Sequence, residues 1–183
     1  MTKLILLISL FFAGPAFAQA EYWDFPIDTG IDCDANPNPV AYPFPNRVAV
    51  SPNSEPVLHV VAHCVSPANF ATDNLRAFAK DMTRQMFASN GVGLAAPQVG
   101  LSFRFFDTKK NPYSPFDRQV EFYLNPRIVA TTDRLASGAE GCLSIPGRRF
   151  TVPRWMNVRI EYTNLEGVRK QADLSGLAAV VVQ

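Results

Sequence analysis

Histidine and cysteine are scarce in this chain, with two of the first and three of the second among 183 residues. A nucleophilic cysteine in need of a histidine partner therefore has only His59 and His63 to draw on. An odd cysteine count allows at most one intrachain pair, and no Cys-x-x-Cys occurs, which argues against thiol redox chemistry as the main activity. Excess charge of either sign is also missing: 17 Lys and Arg against 16 Asp and Glu leave a formal net charge of +1. Without a basic stripe or an acidic tail, neither nucleic acid nor an anionic membrane surface is indicated as a partner. The apolar run at 4–12 is too short to span a bilayer.

What is present fits one globular domain with extensions, given the length and a hydrophobic share of 48%. Lys3, the run at 4–12 and Ala16-Phe17-Ala18 have the charge, length and small-x-small pattern of a secretory signal over residues 1–18. An uncleaved anchor or a buried N-terminal helix is the alternative. Cleavage after Ala18 would start the mature chain at Gln19 in an oxidising compartment, and a bacterial periplasm is expected. There Cys33 and Cys64 are either a disulfide or two free thiols, since separation in space is not written in the sequence.

Residues 19–54 read as an extended arm, because repeated prolines remove backbone donors and fix φ. Tyr22, Trp23, Phe25, Tyr42 and Phe44 suggest that the arm packs on the domain. A helix is predicted over 72–89, with Leu75, Phe78, Ala79, Met82 and Met86 on one face and Asp73, Arg76, Lys80 and Arg84 largely on the other. Asp73 suits the positive end of the helix dipole and Gly91 suits a C-terminal cap.

The stretch "GVGLAAPQVG" at 91–100 matches on paper a dinucleotide-binding glycine fingerprint, yet a helix precedes it where a strand is required. Pro97 and Gly100 also oppose a following helix. What remains is a loop of small residues carrying one large polar side chain, Gln98. Its edge could hydrogen-bond a peptide in β fashion. Strands are predicted within 101–108, at 120–125 and at 158–163, with a turn at 164–167, giving a segregated α+β domain. In "DLSGLAAVVVQ", Leu174, Leu177, Ala178 and Val181 have helical spacing, with Asp173 or Ser175 as candidate cap.

A second unusual stretch is "EGCLSIPG" at 140–147. By itself Cys142 could be a buried structural thiol, a nucleophile or a soft metal ligand. Taken together, "GVGLAAPQVG", "EGCLSIPG" and the following "VPRWMNVRIEY" closely resemble the peptide deformylase family over residues 55–183. The resemblance implies an α+β, peptide-deformylase-like fold with antiparallel or mixed sheets around a central helix that is incomplete at the C-terminus. It also implies a metal-dependent hydrolase that removes the formyl group from N-formylmethionyl peptides. Cys142 would be a ligand to iron(II) or zinc(II), while Gln98 and the backbone N–H of Leu143 would stabilise the oxyanion.

By the same resemblance Gly91, Val92, Gly93 and Gly141 would line the substrate cleft, and Leu177, Val180 and Val181 would face a methionine pocket. Plain core packing is the alternative for those last three. Glu140 and Arg154 would form a supporting ion pair, N-formylated peptides would be the partner, and a monomer is expected. The family's His-Glu-x-x-His motif, which commonly follows a glutamine at the place of Gln183, does not appear. The expectation is a fragment lacking two histidine ligands and the general base, with little activity. An exported, non-catalytic peptide-binding protein is the alternative. His59 and His63, in a β-branched lead-in, are not expected to replace the missing pair.

Overall fold

The computed structural model describes residues 31–35, 44–45, 48–52, 55–132 and 134–183. The expected leader and Tyr22, Trp23, Phe25 and Tyr42 of the arm lie outside the described residues.

Helix α1 spans Asp73–Ala88. Its stripe of Leu75, Phe78, Ala79, Met82 and Met86 is fully buried, whereas Asp73, Arg76, Lys80 and Arg84 are exposed, as three- and four-residue spacing dictates. The Thr72 hydroxyl oxygen accepts the N–H of Leu75 at 3.2 Å, a cap worth about 1 kcal/mol. The other end corrects the expectation for Gly91: Asn90 takes the left-handed conformation, at φ 56°. The N–H of Asn90 reaches Phe87 O at 3.1 Å and that of Gly91 reaches Met86 O at 2.8 Å, which is the paired Schellman pattern. Gly91 is needed for space instead, since a Cβ there would lie 3.0 Å from Leu143 Cδ1 and 3.1 Å from Met86 O.

Seven strands follow: β1 Gly93–Ala95, β2 Phe105–Lys109, β3 Val120–Thr131, β4 Leu135–Cys142, β5 Ile145–Trp155, β6 Asn157–Thr163 and β7 Arg169–Ser175. They form a five-stranded sheet in the order β1-β2-β3-β6-β7 and a separate β4-β5 ribbon, all pairs antiparallel. Successive side chains of a strand point to opposite faces, and here both faces of the sheet are covered. Phe105 and Leu124 join α1 in one core, while Phe106, Tyr123, Val158 and Ile160 join Ala179 and Val182 in another. Burial on both sides leaves four successive residues of β2, Phe105, Phe106, Asp107 and Thr108, buried. Each buried phenylalanine there contributes about 1.5–3 kcal/mol.

The second helix corrects another expectation. Residues 173–175 belong to β7, so Asp173 and Ser175 are not caps: Asp173 pairs with Arg159 at 2.6 and 2.9 Å, and Leu174 and Ser175 lie opposite Val158 and Asn157. Strand pairing overrides the helical spacing of Leu174. Gly176, at φ 57°, turns the chain into α2, Leu177–Val182. The cap comes from far away, since Tyr113 Oη accepts the N–H of Leu177 at 2.7 Å. A Cβ on residue 176 would stand 2.5 Å from that oxygen, so only glycine fits.

Cys33 and Cys64 are joined, with S–S 1.99 Å and Cα–Cα 5.6 Å, and Cys142 is free. Of the arm's aromatics, Phe44 is buried at 3% exposure in the α1 core. No described helix is long and apolar enough to cross a membrane.

Candidate active site

Two elements meet at Cys142, and a third packs against the segment that carries the first. The first is the segment after α1, in which β1 leads into a tight 3-10 turn, Ala96–Val99. The expectation that Pro97 opposes a helix holds only for an α-helix, because proline fits the first positions of this short turn. The turn folds Gln98 back on its own strand, so that its Oε1 accepts the N–H of Ala95 at 3.1 Å. With the oxygen occupied, the amide nitrogen is directed outward, and Nε2 stands 3.7 Å from Cys142 Sγ. Gln98 is 5% exposed, which places its donor in a poorly hydrated setting where hydrogen bonds act strongly.

The β4-β5 ribbon is the second element. Cys142 pairs with Ile145, leaving Leu143 and Ser144 as a two-residue turn, so the sulfur and the adjacent Leu143 amide sit at the ribbon's tip. Behind them, Arg154 donates to Glu140 at 3.3 Å from Nε and 3.2 Å from Nη2. Their side chains are only 12% and 4% exposed. This pair fixes the strand two residues ahead of the cysteine. Gly141 lies in the same strand, and a Cβ there would meet Arg148 O at 3.6 Å, an ordinary contact.

The third element is α2, whose Leu177 and Val181 pack with Val92 in a small apolar cluster. Val180 is half-buried and belongs to none of the apolar clusters, so α2 turns two of its three expected pocket residues toward Val92. Gly91, Val92 and Gly93 are buried along the lead-in to β1. Strand β1 is an edge of the sheet, with one side unclaimed by any neighbouring strand. His59 lies in a 3-10 turn, Pro56–His59, and His63 forms an isolated bridge with Phe103. Both are exposed.

Several residues that support the site were not singled out by the sequence. Asp107 of β2, opposite Leu94 of β1, is fully buried. Burial pushes its carboxyl up to about 7, against the partial pull of the Thr83 hydroxyl and of nearby backbone N–H groups. Thr83 Oγ1 donates to Asp107 Oδ2 at 2.7 Å. Asn125, at φ 51° in β3, holds Val65 by both its side-chain oxygen, at 2.7 Å, and its nitrogen, at 2.9 Å. Asp107 follows two phenylalanines but precedes Thr108 and Lys109, so no apolar pattern marked it, and nothing marked Asn125.

An amide donor thus faces a thiol, and the strand leading into the donor is an edge of the sheet. Residues 48–183 match the family described as polypeptide deformylase, and the chain belongs to that family. It is 37% identical over 138 residues to peptide deformylase 1 of Nitrosomonas europaea, covering 70% of this chain and 78% of that protein. Peptide deformylase of Treponema pallidum (strain Nichols) is 38% identical over 129 residues, covering 70% and 74%. Among solved structures, a class I type b peptide deformylase from Acinetobacter baumannii with Met-Ala-Ser bound superimposes with a TM-score of 0.69. It has 32% identity and covers 75% of this chain and 89% of that one. Peptide deformylase from Thermotoga maritima gives a TM-score of 0.66 at 31% identity, covering 74% and 86%.

Membership implies a catalytic metal ion. The donor set here is one thiol: among the described residues no three His, Cys, Asp or Glu side chains are grouped to hold a metal. A catalytic zinc or iron takes about three protein ligands, so the residues present do not by themselves fit one.

Proposed function

We propose that the protein acts on N-formylated peptides, binding them as an added strand along β1. In that pose the methionine side chain lies against Val92, Leu177 and Val181, and the formyl oxygen is received by Gln98 Nε2 and the Leu143 N–H. Gly91 and Gly93 let the peptide backbone come close, and Gly141 borders it from the ribbon. The observation that carries this reading is Gln98, locked by Ala95 so that its donor faces the cysteine. A preorganised donor of this kind favours a carbonyl oxygen that gains negative charge.

Cys142 is the sulfur ligand that iron(II) or zinc(II) would take from this chain. One thiolate holds neither in catalytic form, so no hydrolytic step is assigned to the residues present. A second reading is an exported protein that binds formylated peptides without turnover. Export is supported by the signal-like residues 1–18 together with the Cys33–Cys64 disulfide, a bond that persists in oxidising compartments such as the periplasm.

The test is calorimetry with formyl-Met-Ala-Ser and with its unformylated counterpart. The formylated peptide should bind more tightly, and Gln98→Ala should weaken it about tenfold, the loss of one hydrogen bond to a polarised oxygen, while leaving the other peptide unchanged. Equal affinity for the two peptides would remove the assignment. Assaying formate release from the same peptide with iron(II) or zinc(II) added separates hydrolysis from binding without turnover: release supports the first, and binding without release the second.

A further inference from the structure

We infer that residues 31–35, 44–45 and 48–52 act as a strap holding the Gln98 loop, fastened by the Cys33–Cys64 disulfide and released by thiol–disulfide exchange. The family match begins at residue 48, so Cys33 and Phe44 belong to a stretch that lies ahead of the shared domain. Yet each described part of that stretch is anchored to it.

The anchors run in order toward the site. Cys33 is bonded to Cys64, whose neighbour Val65 is clamped on both backbone groups by Asn125, so the covalent anchor stands on a rigid part of the sheet. Asp34 pairs with Arg169 of β7, but both side chains are well exposed and such pairs contribute little. Phe44 stacks on Phe78 at 4.9 Å and meets Phe103 edge-on at 5.5 Å. Its backbone is held twice by Asn74, the N–H by Oδ1 at 2.7 Å and the carbonyl by Nδ2 at 2.9 Å. Farther on, Val48 donates its N–H to Asp81 Oδ2 at 2.7 Å, and Ser51 donates to the Gln98 carbonyl at 2.7 Å. The last anchor therefore grips the residue whose side chain faces Cys142.

The disulfide joins residues 31 apart in sequence. Closing a loop of that length confines the strap near its docking surface and raises the effective concentration of Phe44 and Ser51 there. A dithiol reductant opens it in a balanced exchange. One of its thiolates attacks a sulfur of the pair, the Cys33–Cys64 bond breaks, and the second thiol closes the reductant into its own disulfide, leaving two protein thiols. Two electrons pass from the dithiol to the protein. The strap is then tied by Phe44 and hydrogen bonds alone, and Ser51 grips the Gln98 loop without the covalent anchor that held the strap in place.

Amide hydrogen exchange tests this on the whole chain, and it reads the loop whatever substrate binds there. The folded protein is compared before and after treatment with a dithiol, with free thiols counted, and alongside Cys33→Ser. The free-thiol count should rise from one to three on reduction. Exchange at residues 95–100 should then quicken about tenfold, while β6 and β7 stay protected, the mark of a local release. Cys33→Ser should match the reduced protein. Unchanged exchange at 95–100 with three thiols free would overturn the inference. So would an equal rise across β6 and β7, which would make the disulfide a support of the whole fold.

Discussion

Glu140→Ala should lower the stability of the protein by about 1.5–3 kcal/mol, the worth of buried hydrogen bonds to a charged group. The Arg154 guanidinium stays where only 12% of its side chain meets solvent, and it loses both contacts from Nε and Nη2. For a chain of this size each kcal/mol moves Tm by about 2–4 °C, so a fall of about 6 °C is expected. Denaturant unfolding should give a lower midpoint at an unchanged slope. The double variant Glu140→Ala, Arg154→Leu should recover much of the loss, because an apolar replacement often restores what a broken pair removes. A single-variant loss under about 0.5 kcal/mol would remove the Glu140–Arg154 pair as a stabilising contact.

The stability of the protein should also fall as pH rises from about 4 to about 7, and Asp107→Asn should abolish that part of the dependence. The folded carboxyl has its pKa raised to about 7 from an ordinary 3.8, so the sign is opposite to that of a salt-bridged aspartate. Below about pH 4 the group is protonated folded and unfolded, and it contributes nothing. Between the two values the unfolded chain releases the proton while the folded chain keeps it, and stability drops with each step in pH. Above about pH 7 the full penalty is present, up to about 4 kcal/mol from the size of the shift. Asparagine keeps an oxygen for the Thr83 hydroxyl and carries no charge. The variant minus wild-type difference in unfolding free energy should therefore grow from pH 4 to 7 and then level off. A flat difference across that range would show Asp107 to be ionised in the fold throughout.

Where one element carried its own physical signature, the sequence was readable. The stripe of α1 and the small-residue loop with its single glutamine were visible because spacing and composition do not depend on distant partners. The β4-β5 ribbon was not, since Gly138, Gly141, Pro146, Gly147 and Pro153 argue against a strand. A two-stranded ribbon tolerates them because neither strand has a second neighbour, and Pro153 pairs only with Ser137. Strand β7 was missed because its exposed, polar residues show almost no apolar alternation before Leu174. The buried acids Asp81 and Asp107 were missed for another reason. Each is explained by a group far away in sequence, the Val48 N–H and the Thr83 hydroxyl, and periodicity contains no such information. The cysteine pairing belongs to the same kind: Cys33 meets Cys64 through tertiary proximity alone.

Gln183 closes α2 in an unusual way. Its side-chain amide imitates a strand residue: Oε1 accepts the N–H of Trp155 at 3.0 Å, and Nε2 donates to the Trp155 carbonyl at 2.6 Å and to Ala179 O at 2.9 Å. Through this one side chain the ribbon bearing Cys142 is riveted to a helix that is itself packed on the central sheet. The sulfur, the apolar wall and the sheet thus form a single rigid frame. For a peptide bound as proposed, the walls would be set beforehand and little binding free energy would go to ordering them.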